Sequence, residues 1–359
     1  MNHVTIVGMM SIAPIDQPRS VSWPLYGHQW AVQLLQRAAS KGPSHAYLFL
    51  GSRQIGKSTL AQLFAKTLLC TGQGGQPCGN CRACRLVEKG SHPDFRLIQP
   101  TDKSGAIDRI DGLLRTEQAA EIIHDVALRP AEGHYKVFII QDAHNANDSF
   151  ANKLLKTLEE PPAHAILCLT ALDRSSILPT IVSRCQLVEL RPLDVPTVTQ
   201  ALIEGWQADP AQAQLLARLA NGRLGWAVAQ LRHTTAAQER IEQLQTLWQL
   251  LHADRIERLA FAEQLASNRN NQQLFGLLEL WTLWWRDVLL AQAGSLDACC
   301  NIDQQAEIIR QAQLLPASVV QHYLHHLKRI ETYLHHTVNT RLALDVLLLQ
   351  MPYADAKAR

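Results

Sequence analysis

Residues 51–58 read Gly-Ser-Arg-Gln-Ile-Gly-Lys-Ser, which fits the G-x-x-x-x-G-K-[ST] pattern of a phosphate-binding loop. Such a loop needs a strand before it and a helix after it. Ala46–Leu50 is an apolar run of strand length, and Thr59–Leu69 places Leu60, Leu63, Phe64, Thr67 and Leu68 on one side of a helix. Glycine lets backbone N–H groups converge closely on phosphate oxygens, and the positive end of the following helix adds to the attraction. The expected nucleotide contacts are Gly51, Ser52, Arg53, Gln54, Ile55, Gly56, Lys57, Ser58 and Thr59. Lys57 would reach the outer phosphates and Ser58 would ligate Mg²⁺. The plainer alternative is an ordinary glycine-rich turn.

A phosphate loop also needs an acidic group at the end of a neighbouring strand. Lys136–Ile140 is a continuous β-branched run, followed by Gln141-Asp142-Ala143-His144. Only Asp142 is acidic where hydrolases of this type carry two adjacent carboxylates. A solvated aspartate at a strand end is the competing reading. Ala165–Thr170 and Gln186–Leu190 are further strand candidates, and Asp148–Glu160 is a helix closed by Pro161-Pro162. Unbroken apolar strands separated by helices predict an α/β domain with a parallel sheet covered on both faces.

Four of the eight cysteines lie close together, at Cys70, Cys78, Cys81 and Cys84. Tetrahedral Zn²⁺ takes four thiolates, and C-x-x-C turns deliver two from one tight loop. Four sulfur ligands leave no position for water, so the expected role is structural. An iron–sulfur cluster or free buried thiols are the alternatives. Cys168 lies in an apolar run and reads as a core residue. Nothing is assigned to Cys299 and Cys300.

Bunched cysteines, no long apolar stretch and no basic leader ahead of Val4–Ile15 point to a cytoplasmic chain with an N-terminal extension over 1–22. Lys and Arg number 34 against 32 Asp and Glu, which excludes nucleic-acid binding by bulk charge. With 359 residues the chain is long enough for two or three domains.

Beyond Pro192 strand signals vanish. Residues 193–233 read as a small three-helix unit, interrupted at Asp209-Pro210 and Asn221-Gly222. Residues 234–359 carry longer helices, among them Gln272–Gln292 and Ala317–His335. Trp281, Trp284, Trp285 and Val288 recur at i, i+3, i+4 and i+7, an apolar face suited to core or interface. The expected division is therefore 1–22, a nucleotide-binding domain at 23–192 with a zinc module at 70–84, a small helical unit at 193–233 and a C-terminal helical domain at 234–359.

Several stretches together carry a family resemblance. They are Gly27-His-Gln29, Ser44-His-Ala-Tyr-Leu-Phe-Leu-Gly51, the phosphate loop, the cysteines placed after its helix, and His92-Pro-Asp94. Leu154-Leu-Lys-Thr-Leu-Glu-Glu-Pro-Pro162 and Leu178-Pro-Thr-Ile-Val-Ser-Arg-Cys185 complete the set. The chain resembles the clamp-loader subunits of bacterial DNA polymerase III, which are AAA+ proteins, from about Gly27 to Pro352. The resemblance implies an AAA+ domain with a zinc insert, a helical lid, and a helical collar that assembles a ring. Partners would be gamma/tau and delta type subunits, the sliding clamp, and primed DNA reached through the assembled complex. It also implies that Arg184 faces the nucleotide of a neighbouring subunit and that Thr170, or Ala171 one residue on, senses the γ-phosphate. Without the family, Arg184 is a loop arginine and Thr170 a strand-end threonine.

Three departures favour the weakly hydrolysing delta-prime type over the gamma/tau motor type. The acidic pair is Gln141-Asp142. Gly225 stands where hydrolysing subunits carry a lid arginine, with Arg223 two residues away. The sequence ends at Arg359, without the extra domains of tau. The intact phosphate loop still implies that ATP or ADP, with Mg²⁺, can bind. An ATP-hydrolysing motor subunit and a stand-alone zinc-containing nucleic-acid-binding protein are the rival readings.

Overall fold

In a computed structural model of the chain, the described residues are Trp23 and 25–354, apart from 73–75, 110–111, 234, 268–270 and 335–337. The extension expected over 1–22 and the helix end at His335 lie outside the described residues.

The first half alternates helix and strand: α1 (Gln29–Lys41), β1 (Ala46–Leu50), α2 (Lys57–Leu69), α3 (Arg82–Glu88), β2 (Phe95–Ile98), α4 (Thr116–Ala127) and β3 (Lys136–Ile140). It continues with α5 (Asp148–Glu159), β4 (Ala165–Ala171), α6 (Pro179–Val182) and β5 (Gln186–Glu189). The strands form one sheet in the order β2-β3-β4-β1-β5, and every pairing is parallel. Ala46 lies opposite Leu167 and Tyr47 opposite Gln186, so β1 sits between β4 and β5.

Because side chains alternate across a strand, β1 feeds two cores. Tyr47 and Phe49 join Ile139, Cys168 and Val188 beneath α1 and α2. Ala46, Leu48 and Leu50 join Phe138, Ile140 and Leu167 beneath α4 and α5. Each fully buried large apolar side chain contributes roughly 1.5–3 kcal/mol. Cys168 is wholly buried, in line with its reading as core.

Two local details differ from the sequence expectation. Helix α2 begins at Lys57 instead of Thr59, because Gly56 at φ 112° turns the chain into the helix immediately. Strand β2, together with α1, α3 and α4, was not anticipated. In β2 only Phe95 is buried, as befits a four-residue edge strand with little apolar signal.

The remaining chain is helical: α7 (Val195–Trp206), α8 (Pro210–Leu219), α9 (Leu224–Arg232), α10 (Ala236–Leu250), α11 (Arg255–Ser267), α12 (Asn271–Gln292), α13 (Gln305–Leu314), α14 (Ala317–Leu334) and α15 (Thr340–Leu349). The Asp209 carboxylate accepts from the amides of Ala211 and Gln212, and Pro210 occupies the first turn, so Asp209-Pro210 starts α8. Helices α7–α9 share a small apolar cluster of their own. Trp281, Trp284, Trp285 and Val288 are fully buried in the core formed by α10–α15. In that core the fully buried Arg258 donates to the carbonyls of Leu250, Leu348, Met351 and Pro352, tying the ends of α10 and α15 together. Arg223 pairs with Glu279 and Arg218 donates to the carbonyl of Cys299, so two cations of the α7–α9 unit reach the C-terminal helices.

Candidate nucleotide pocket and cysteine centre

The phosphate loop leaves β1 at Gly51, whose φ of 142° only glycine tolerates. A Cβ there would stand 2.7 Å from the Leu190 carbonyl oxygen. The loop ends at Gly56, and Ser58 and Thr59 lie in the first turn of α2. The Lys57 ammonium is buried and donates to the Gly51 carbonyl at 2.6 Å and the Ser52 carbonyl at 2.8 Å. Burial lowers its pKa to about 8, with Asp142 resisting and Arg109 and Arg53 reinforcing the fall.

The loop is braced from two distant segments. His28, the residue preceding α1, hydrogen-bonds through Nε2 to the Ile55 carbonyl at 3.2 Å, so Nε2 carries the proton. From the other side, the Gly225 amide in α9 donates to the Gln54 carbonyl at 2.9 Å. A Cβ on Gly225 would lie 2.6 Å from that carbonyl oxygen. The close approach requires glycine and leaves no room for an arginine at this position without moving the helix. Arg223 does not stand in for it, since its guanidinium is committed to Glu279 and the face of Trp226.

Asp142 follows β3 in a left-handed conformation at φ 51°. Its amide donates to Thr170 Oγ1 at 3.0 Å, which places the fully buried Thr170 beside it. One carboxylate oxygen of Asp142 accepts from Arg109 Nε at 3.0 Å and Nη2 at 2.9 Å. Gln141 is turned toward the sheet edge, where its carbonyl oxygen accepts from Gln99 at 2.8 Å. Both ring nitrogens of His144 are buried without a partner. Burial, aided by Arg53 and Lys57 and opposed by Asp142, lowers the His144 pKa to about 4 and keeps the ring neutral.

These residues fit a phosphate group well. Glycine-permitted loop geometry, a lysine, a nearby arginine and an unpartnered imidazole surround the start of α2. To Mg²⁺, a hard cation that takes oxygen ligands, they offer the Ser58 hydroxyl but no unengaged carboxylate at the end of β3. The Asp142 carboxylate already holds a guanidinium, and position 141 offers an amide engaged elsewhere. Arg109, Gln99 and His28 were not assigned in the sequence. Arg109 is 33 positions from Asp142 and belongs to no motif, so only folding reveals the pair.

Arg184 follows α6. Its guanidinium donates to the Thr180 carbonyl and to Glu159 Oε1, both at 2.8 Å. Glu159 comes from the Leu154–Pro162 motif, so two of the stretches that carry the resemblance meet through this ion pair.

The four sulfurs of Cys70, Cys78, Cys81 and Cys84 lie within 4.8 Å of one another. Cys70 and Cys81 sulfurs are 3.9 Å apart, close to the ~3.8 Å edge of a tetrahedron with 2.3 Å Zn–S bonds. Amides of Gly72, Cys78, Cys81 and Cys84 point at sulfur, as they would at thiolates. At Cys81 burial opposes ionisation, but the amides and the Thr71 side chain outweigh it and bring the pKa down to about 5. The donor set fits a zinc ion and could hold one.

His92-Pro-Asp94 anchors this region. Asp94 accepts from the amides of Ala131, Glu132 and Gly133, and its own amide donates to His92 Nδ1 at 3.0 Å. Glu132 then pairs with Arg82 at 2.7 Å, joining the cysteine module to the sheet edge. The backbone amides of Cys300 and Asn301 satisfy the buried Asp287 carboxylate, a structural use for that stretch.

A parallel sheet with a phosphate loop after β1 and a three-helix unit seated on that loop defines a P-loop α/β fold of AAA+ type. Family models described as "DNA polymerase III, delta subunit" and "DNA polymerase III, delta subunit, C terminal" match residues 27–194 and 235–352. The delta' subunit of Bacillus subtilis DNA polymerase III is 30% identical over 313 residues, 86% of this chain and 91% of that protein. The chain belongs to the DNA polymerase III delta' subunit family. The tau subunit of Escherichia coli is 37% identical over 186 residues, 50% of this chain but 27% of its own length. A gamma subunit-related protein of Thermotoga maritima superposes with a TM-score of 0.43 at 16% identity, covering 88% of this chain and 97% of its own. Among the described residues no helix is long and apolar enough to cross a membrane.

Proposed function

We propose that this chain serves the DNA polymerase III clamp loader as a subunit that binds nucleotide but hydrolyses little of it, and that offers Arg184 to a neighbour's nucleotide. Membership in the delta' family makes it a clamp-loader subunit. The low-hydrolysis reading rests chiefly on the engagement of the acidic position: Asp142 is paired with Arg109 and Gln141 with Gln99. An amide at 141 and a carboxylate with one oxygen held by a guanidinium are poor groups for polarising an attacking water, which hydrolysing P-loop sites require.

Nucleotide would be held by the amides of 51–56, by Lys57 and by the first turn of α2. The phosphates supply negative charge, against which Lys57 can exchange its two loop carbonyls. Zinc in the cysteine centre would be structural, since four thiolates leave no open coordination position. Partners in the reading are gamma/tau and delta type subunits, the sliding clamp and primed DNA, in the cytoplasm. The exposed ion pair of Arg184 with Glu159 is weak enough, at about 0–1 kcal/mol, to be exchanged for a neighbour's phosphate.

The test is a loader reconstituted with wild-type or Arg184→Ala chain, alongside ATPase assays of the isolated chain. The isolated chain should show almost no turnover. Arg184→Ala should assemble normally and lower clamp- and DNA-stimulated ATPase, because an arginine supplied in trans contributes about 10³–10⁵ in rate at its own site. Equal ATPase at matched assembly would remove the neighbour-acting role. Rapid hydrolysis by the isolated chain would remove the low-hydrolysis reading.

A further inference from the structure

The pocket beside the phosphate loop gathers three fixed positive charges near Asp142 and Asp173. Lys57 and Arg53 come from the loop itself, and Arg109 arrives from the segment between β2 and α4. Arg53 and Arg109 are both close enough to act on the Lys57 ammonium. Asp142 is the carboxylate that faces Lys57, and two N–H groups of Arg109 converge on one of its oxygens. Arg109 is thus bound to Asp142 while Lys57 and Arg53 lie close by, and the other carboxylate felt in the pocket, Asp173, acts on His144. A divalent ion approaching this carboxylate would meet a guanidinium already bound there and two further cations nearby. Gln141 offers no compensation, since an amide carries no charge and this one is bonded to Gln99.

We propose that Arg109 takes over the charge-neutralising role of Mg²⁺ at this site, so that the chain binds ADP or ATP without a divalent cation. The proposal rests on the nucleotide-binding reading above and sharpens it. A guanidinium is planar and always charged, and it presents several N–H donors that pair with phosphate as readily as with carboxylate. It neutralises phosphate charge but cannot hold and orient an attacking water as a hydrated metal does. Binding is thereby separated from hydrolysis, which matches the low turnover expected of the chain. Nucleotide would act as a fixed filler of the interface below α9 and not as a fuel.

The experiment is a fluorescence titration of the full chain with a fluorescent ADP analogue. One buffer contains magnesium, and the other is freed of divalent cations over a chelating resin before protein is added, so that zinc stays in the protein. The wild-type Kd should agree within about threefold between buffers, whereas a site that bridges phosphates through Mg²⁺ loses tenfold or more without it. Arg109→Gln frees Asp142 and removes one positive charge. It should weaken magnesium-free binding by about tenfold and recover in magnesium, creating a dependence the wild type lacks. Arg109→Lys should keep part of the magnesium-free affinity, since it preserves charge but not the fork. Wild-type binding that requires magnesium would overturn the proposal and leave nucleotide binding standing. So would an Arg109→Gln chain with unchanged magnesium-free affinity. Absence of binding in both buffers would overturn the nucleotide reading itself, and this proposal with it.

Discussion

All four sulfurs of the cysteine centre come from residues 70–84, whereas the polar groups around the phosphate loop come from His28, Arg109, Asp142, Thr170 and Gly225. The centre closes within fifteen residues, so its geometry follows from local turns and amide-to-sulfur bonds. The pocket closes only when the sheet and the α7–α9 unit are both in place. A local constellation keeps the chemistry its spacing implies. A long-range one can be altered by a single residue far away, as Arg109 alters Asp142.

If the cysteine centre is as self-contained as its spacing implies, its loss should be severe and confined. Zinc in small cysteine sites contributes on the order of 10 kcal/mol of local folding free energy. Cys81→Ser should abolish stoichiometric zinc in metal analysis and open residues near 70–91 to limited proteolysis. Affinity for the fluorescent ADP analogue should stay within about twofold. A simultaneous collapse of nucleotide affinity would show that the two regions are not separable.

The next largest effect belongs to Lys57. Removing charge-assisted hydrogen bonds of about 1.5–3 kcal/mol should weaken nucleotide binding ~10- to 100-fold in Lys57→Ala. An unchanged Kd would mean that the loop does not receive phosphate.

Gly225→Ala probes the joint between α9 and the loop. A Cβ 2.6 Å from the Gln54 carbonyl oxygen must push the helix off the loop, at a cost of ~1–3 kcal/mol. Thermal melting should show the loss, and Gly225→Arg should be no better and should not restore hydrolysis. A fully stable Gly225→Ala chain would mean that the helix does not sit on the loop in solution.

The smallest effect is the pH profile of nucleotide affinity. Burial depresses the Lys57 pKa to about 8, so the charged form that attracts phosphate dominates below that value. Affinity should hold to about pH 8 and then fall, by at most about tenfold per unit for one proton. Lys57 should act oppositely on stability. Between about 8 and the ordinary lysine value of 10.5 the unfolded chain binds the proton and the folded chain does not, so its contribution to stability rises with pH. Titrations from pH 7 to 9.5 with parallel melting curves separate the two trends. Affinity that rose with pH would contradict a charged Lys57 at the phosphates.

Legibility followed the range of the interaction. The strands β1, β3 and β4 were visible because buried parallel strands are written as unbroken apolar runs, as in Lys136–Ile140, whereas β5 showed only the short apolar pair Leu187-Val188. The edge strand β2, with Phe95 as its one buried residue, gave no such run. The tryptophan face of α12 was legible as core or interface, since its period places it on one side of a helix, and folding buries it in the core of α10–α15. Arg184 was visible as part of a motif, but its pairing with Glu159 was not, since it joins α5 to the turn after α6.

The sequence by itself determined the elements whose cause is local. These are the phosphate loop with its glycines, the cysteine tetrad, the apolar strands, and the amide and the glycine at positions 141 and 225. Only the tertiary structure decided what those residues touch. It set Gly225 against Gln54, turned Gln141 to Gln99, committed Arg223 to Glu279 and brought Arg109 to Asp142. The physical reason is that hydrogen bonds and ion pairs act over about 3 Å. Which groups come that close depends on how the sheet, the α7–α9 unit and the loop pack, and no local pattern in the chain records that packing.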